Sequence, residues 1–140
     1  MIDKNYELIE HTADIGIRVK AKDLKELFRQ AGLAMFDIIA EVKNPESRPQ
    51  QKIKIVQKAD NLEELFVNWL NELLSLSATK ELIFSDFKIT KLDKNLLEAL
   101  ALGKSSKDYK VNVEIKAATY HQLKIEKKQS GWQAEVIFDV

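Results

Sequence analysis

Two acidic residues at opposite ends of the sequence are the side chains best suited to hold a hard metal ion. Asp14 has the same strand parity as Arg18, on the polar side of one strand-like run. Asp139 shares its parity with Glu135 in the same way near the end of the chain. Both carboxylates should therefore face away from the core. If these two segments lie side by side, Asp14, Asp139 and the terminal carboxylate of Val140 would form an all-oxygen cluster.

Such a cluster would need a partner of opposite charge. Three anionic groups in one place repel one another unless they bind a cation or take up a proton. Calcium and magnesium both prefer oxygen ligands, so either ion would suit the cluster. The alternative interpretation treats Asp14 as an ordinary turn residue and Asp139 as a solvated strand end. Spacing alone does not decide between the two.

The histidines offer a different metal chemistry. His11 and His121 are the only two in the chain, and with Asp14 and Asp139 they could supply two nitrogens and two oxygens to zinc. A zinc-activated water would then make the protein a metallohydrolase. Against this hypothesis, neither histidine belongs to a ligand pair such as His-Glu-x-x-His, and a lone strand histidine more often makes a structural hydrogen bond.

Composition narrows the remaining classes of function. The 140 residues suit one domain, and the absence of cysteine excludes disulfides, thiolate metal sites and a cysteine nucleophile. Lys and Arg together number 22, as do Asp and Glu, so the basic excess typical of nucleic-acid-binding proteins is missing. Glycine-rich phosphate loops and nucleophile motifs are also missing. Because the first residues carry no apolar signal region and no apolar run approaches roughly 20 residues, we expect a cytoplasmic protein.

Apolar spacing predicts two amphipathic helices. The first begins after Asp23, which forms a capping-box pattern with Glu26, and should end near Val42, before two prolines. The second begins after residues 60–61, and its apolar face includes Trp69. A tryptophan on such a face is expected in the core.

The rest of the chain alternates with the period of β-strands. We predict strands at 6–9, 15–21, 53–55 and 82–92, the last of these with a bulge near Ser85 and Asp86. A long strand should start at 111 and continue through 125. After a turn at 129–131, a last strand should run over 132–139. Residues 103–110 look like a loop, and residues 96–102 fit either a helix or a strand. The predicted architecture is a single α+β domain over residues 1–140, with two helices packed on a largely antiparallel sheet.

Four blocks of residues follow one another along the chain: EHTADIGI at 10–17, DNLEEL at 60–65 running into WLNELL at 69–74, IKAATYH at 115–121, and VIFDV at 136–140. By these blocks and their order, essentially the whole sequence resembles the archease family. Two features depart from the family pattern: the chain ends in Val140 where isoleucine is usual, and Lys104 follows Gly103 where glutamate is expected. Neither departure changes a side chain that the resemblance implies as a metal ligand.

The resemblance implies both a site and a function. Asp14 and Asp139 would be metal ligands, joined by Val140 through its main-chain or terminal oxygen, and calcium would be the first choice of ion before magnesium. Lys116 would act on a partner, a tRNA-splicing RNA ligase, although its alternation with apolar neighbours is equally explained by a solvated strand lysine. The protein would promote guanylylation and multiple turnover of that ligase without being an enzyme itself. A chaperone-like interaction module that needs no metal is the other alternative. The resemblance also implies a strand at 96–102.

Overall fold

Two helices frame the core. The computed structural model describes residues 6–11, 14–46 and 51–140, and for Glu10 and His11 the backbone alone. Helix α1 spans Leu24–Ile39 and is capped by Asp23, whose carboxylate accepts the Glu26 N–H at 2.8 Å. Helix α2 spans Leu62–Lys80, and the Asn61 side chain caps it in the same way. Neither of these helices is long and apolar enough to cross a membrane.

Helix α1 is shorter than its apolar spacing predicts. Its backbone becomes extended at Ala40, two residues before the expected end, and Ala40–Val42 form strand β3. This strand pairs antiparallel with β7, Tyr109–Val111. The predicted end near Val42 is therefore wrong, because ladder hydrogen bonds to a distant segment replace the last helical turn.

The strands of the described residues form three antiparallel sheets, and the β3–β7 pair is the smallest. One sheet has the order β4–β6–β5, and the largest has the order β1–β2–β10–β8 with β9 also paired to β10. The strand bounds are β1 Tyr6–His11, β2 Asp14–Ala21, β4 Gln51–Lys58, β5 Leu82–Leu92, β6 Leu96–Ser105, β8 Ala117–Ala118, β9 Lys124–Lys128 and β10 Gly131–Asp139. The α+β class with a largely antiparallel sheet is confirmed.

Several local predictions can be compared with these bounds. The strand at 96–102 is confirmed as β6, and the bulge near Ser85 is confirmed by a register shift between Phe84 and Asp86. Residues 103–110 are not one loop, because β6 continues to Ser105 and a 3₁₀ turn follows at Ser106–Asp108. The spacing of the first two strands predicts a turn or short connection at 11–14, but His11 belongs to β1 and Asp14 to β2. Residues 12–13 lie outside the described residues.

The long strand predicted from 111 to 125 is broken into β7, β8 and β9. After β7 the chain leaves the small sheet, and the N–H groups of Asn112 and Val113 both donate to the Ile39 carbonyl at the end of α1. A turn at Tyr120–Gln122 then separates β8 from β9, with Gln122 at φ 52°. Alternation survives across these breaks because Val113 and Ile115 pack on the core without belonging to a ladder.

The helices and sheets share one apolar core. Trp69 of α2 is fully buried, donates its indole N–H to the Phe28 carbonyl of α1 at 2.9 Å, and meets the Phe87 ring edge-on at 5.3 Å. The core residues of β2 and β10, among them Ile17 and Phe138, belong to the same cluster. The core thus fixes the sheet that carries both ends of the sequence.

Candidate metal centre

The antiparallel register between β2 and β10 brings the two ends of the sequence together. Ile137 is paired with Gly16, and Phe138 with Ile15. One further step along this register sets Asp139 opposite Asp14, and each is the terminal residue of its strand. Residues directly opposite in an antiparallel pair share a face, with Cβ atoms roughly 4.5–5.5 Å apart. The two carboxylates therefore belong to one face at one end of the sheet.

That face is the outer face of the sheet. Arg18 of β2 lies on it and bridges the two neighbouring strands, with its guanidinium 2.9 Å from Glu7 and 2.6 Å from Glu135. Ile17 and Val136, which have the opposite parity, are fully buried in the core. Polar alternation in the sequence thus predicted correctly that Asp14 and Asp139 face away from the core.

Strand β8 brings Lys116 to the same edge of the sheet. Ala117 is paired with Asp139, and the Lys116 N–H donates to the Asp139 carbonyl at 2.8 Å. The Lys116 side chain is exposed, as is that of Val140. The chain end, Asp139 and Lys116 are consequently neighbours along the backbone ladder.

A helix side chain holds β8 in this position. The Asn71 amide of α2 accepts the Ala118 N–H at 2.8 Å and donates to the Ala118 carbonyl at 3.2 Å, so it takes the place of a neighbouring strand. By helical spacing Asn71 falls on the polar face of α2, and nothing local in the sequence distinguishes it from Asn68. Only knowledge that residues 71 and 118 are in contact could have indicated this role.

Removing the Asn71 amide should destabilise β8 and with it the candidate site. In Asn71→Ala, the nearly buried Ala118 loses partners for both backbone groups, each of which costs about 1–3 kcal/mol when unsatisfied. We expect a lower urea midpoint and faster amide hydrogen exchange at Ala118. The partly exposed Asn68→Ala provides the control on the same helix and should change neither. Equal urea midpoints for the two variants would contradict the role given to Asn71.

Asp14 and Asp139 offer hard oxygen donors, and the backbone register also sets His11 of β1 opposite Asp14. Among the described side chains, which exclude those of Glu10 and His11, no three His, Asp or Glu residues are grouped to hold a metal ion. His121 lies in the turn after β8, so it does not complete such a group with Asp14 and Asp139. Carboxylate oxygens are ligands that calcium and magnesium prefer, so Asp14 and Asp139 are the candidate protein donors at this edge. Calcium takes roughly 6–8 oxygens, so water or a partner would supply the remainder.

Comparison with known sequences gives a consistent match over the whole fold. The model of the Archease protein family matches residues 6–140. Protein archease of Methanosarcina barkeri is 37% identical over 98% of this chain and 97% of its own length. Protein archease of Pyrococcus abyssi is 38% identical over 98% of this chain and 99% of its own length.

Solved structures have the same fold. The solution structure of Methanobacterium thermoautotrophicum protein 1598 is 30% identical, covers 99% of this chain and 100% of that chain, and superposes with a TM-score of 0.77. A crystal structure described as an archease, possible chaperone, from Thermotoga maritima is 23% identical, covers 94% of both chains and gives a TM-score of 0.64. The second similarity concerns the fold alone.

Proposed function

Since the chain belongs to the archease family, we propose that it is a metal-binding protein cofactor that activates a tRNA-splicing RNA ligase. In this proposal the ligase performs the chemistry, and this chain promotes its guanylylation and its multiple turnover. The ion is calcium, with magnesium as the second choice. Asp14, Asp139 and the chain end at Val140 hold it.

One observation carries the proposal: the register that pairs Phe138 with Ile15 leaves Asp14 and Asp139 as opposite strand ends on the outer face. Asp14 and Asp139 are 125 positions apart in sequence, and the pairing of β2 with β10 makes them neighbours. Two carboxylates on directly opposite strand ends offer hard oxygen donors to one divalent cation, with Cβ atoms roughly 4.5–5.5 Å apart. The exposed Lys116 next to this edge supports contact with a partner rather than a closed structural site.

Each group has a separate part in the proposed mechanism. The bound ion supplies positive charge that offsets the carboxylates and attracts anionic groups of the partner. Asp14 and Asp139, at the ends of paired strands, present their oxygens from a rigid ladder. The Lys116 ammonium provides a positive charge for a phosphate of the ligase's nucleotide or substrate. Because the protein donors leave the coordination shell of a calcium ion incomplete, the partner would finish it.

A multiple-turnover ligation assay tests the function. With purified ligase at a concentration well below that of the RNA, addition of this protein and calcium should carry product formation beyond one equivalent of ligase, and should increase the guanylylated fraction. A chelator should remove the effect. If the protein leaves both quantities unchanged in calcium and in magnesium, the proposal is wrong.

Chelation also separates this proposal from its main alternatives. The Thermotoga relative is described as a possible chaperone, and a chaperone-like module would bind its partner equally well after the metal is removed. A zinc hydrolase would retain zinc through purification and lose it in His11→Ala or His121→Ala. Metal analysis together with partner binding before and after chelation therefore distinguishes the three.

A further inference from the structure

A cavity of about 540 Å³ lies between α1, β1, the β3–β7 pair and β5, away from the candidate metal centre. Its size falls within the roughly 300–1,000 Å³ of sites that bind small organic groups. Tyr6, which lines the cavity, is paired with Val19 of β2. Val19 is five residues from Asp14 along that strand, a distance of roughly 17 Å. Tyr6 also has the parity of the core face, whereas Asp14 lies on the outer face. The two sites are therefore separate.

The wall of the cavity is mainly apolar, and one half-buried carboxylate interrupts it. Leu33 and Val42 contribute aliphatic surface, and Tyr109, which is 7% exposed, contributes an aromatic ring. Asp37 of α1 lines the same space and accepts a hydrogen bond from the Tyr6 hydroxyl at 2.6 Å. Such a wall suits a ligand with an apolar stem and a polar head.

The charge of the cavity selects the head group. Among the described residues, no lysine, arginine or histidine forms an ion pair with Asp37. Burial first, and then the hydrogen bond to Asp37, raise the pKa of Tyr6 well above its ordinary value, so its hydroxyl stays a neutral donor. Glu41 adds a second negative charge at the rim, only weakly paired with Lys110 at 3.9 Å. Asp37 and Glu41 thus give the cavity negative charge, and the neutral Tyr6 hydroxyl does not compensate it.

We propose that this cavity binds an organic cation, a guanidinium or ammonium group on a short apolar stem. Asp37 accepts the cationic head in a charge-assisted hydrogen bond, and a guanidinium can use both carboxylate oxygens. The stem packs on Leu33 and Val42, while the Tyr109 ring adds cation–π attraction. An arginine or lysine side chain of a partner protein and a free small amine share this chemistry.

Titration followed by amide NMR tests the binding. The probes are agmatine, a capped Gly-Arg-Gly peptide, and the same peptide with uncharged citrulline in place of arginine. Agmatine or the arginine peptide should shift the amides of Asp37, Glu41 and Tyr109 saturably, whereas the citrulline peptide should not. Tighter binding of the peptide indicates a protein partner, and tighter binding of agmatine indicates a free amine. Absence of saturable shifts with both cationic probes would overturn the proposal.

Variants locate the bound cation. Asp37→Asn should weaken binding roughly 10- to 100-fold, because it removes the charge from the strongest hydrogen bond in the cavity. Tyr6→Phe removes only the hydroxyl that donates to Asp37 and keeps the charge, so it should weaken binding much less than Asp37→Asn does. Asp60→Asn, at an exposed position before α2, and Asp14→Ala, at the candidate metal centre, should both bind as the parent does. Equal weakening in Asp37→Asn and Asp60→Asn would show a nonspecific charge effect and exclude the site.

Discussion

Replacing Asp14 or Asp139 by alanine is expected to abolish calcium binding and stimulation of the ligase together. Removal of an outer-shell partner alone costs roughly 10–100-fold in metal affinity, so loss of a direct ligand should cost at least about 100-fold. Isothermal titration with calcium measures the first effect, and multiple-turnover ligation measures the second. Both variants should remain folded, because each changed residue is the outward-facing terminal residue of a strand.

Matched variants make this expectation specific. Asp60→Ala removes the same charge from an exposed position before α2 and should leave both measurements unchanged. Deletion of Val140 moves the terminal carboxylate back by one residue without changing either aspartate, so it should weaken calcium binding if the chain end is a ligand. Asp14→Ala and Asp139→Ala proteins that bind calcium and stimulate the ligase as well as the parent would end the metal hypothesis, whatever the fate of the Asp37 cavity.

Trp69→Ala is expected to cause the largest loss of stability among single substitutions in α2. The side chain is fully buried, and its removal leaves a cavity beside Phe87 and takes away the indole N–H that donates to the Phe28 carbonyl. Truncating a buried tryptophan costs about 3–5 kcal/mol. Thermal unfolding should show a decrease of about 10–15 °C in the midpoint for a domain of this size.

The second tryptophan provides the comparison. Trp132 is the second residue of the last strand, next to a hairpin turn. It is only partly buried, and the Lys127 ammonium lies 6.0 Å from the centre of its ring. Trp132→Ala should therefore lower the midpoint much less than Trp69→Ala. Similar losses in the two variants would show that α2 contributes no more to the core than the hairpin does, contrary to the packing described above.

The sequence predicted the elements whose signals are local. Capping by Asp23, the apolar face that buries Trp69, and the alternation of the last strand depend on neighbours within a few residues, and all three are present in the structure. Strand 96–102 is different, because its leucines and alanines favour a helix by propensity. It became β6 because it lies between β4 and β5, where ladder hydrogen bonds on both sides override that preference.

For the candidate site, the sequence supplied the residue types and the direction in which they face. Parity along each strand is local, so it predicted that Asp14 and Asp139 point outward. The sequence alone did not predict that these two residues lie close together, because strand order and register depend on contacts between segments far apart in the chain. Only the family resemblance implied it. Tertiary structure alone decided that β10 lies beside β2, that Asn71 holds β8, and that Asp37 lines a cavity formed by four separate segments. Such arrangements arise from packing of the whole core, and no short window of sequence encodes them.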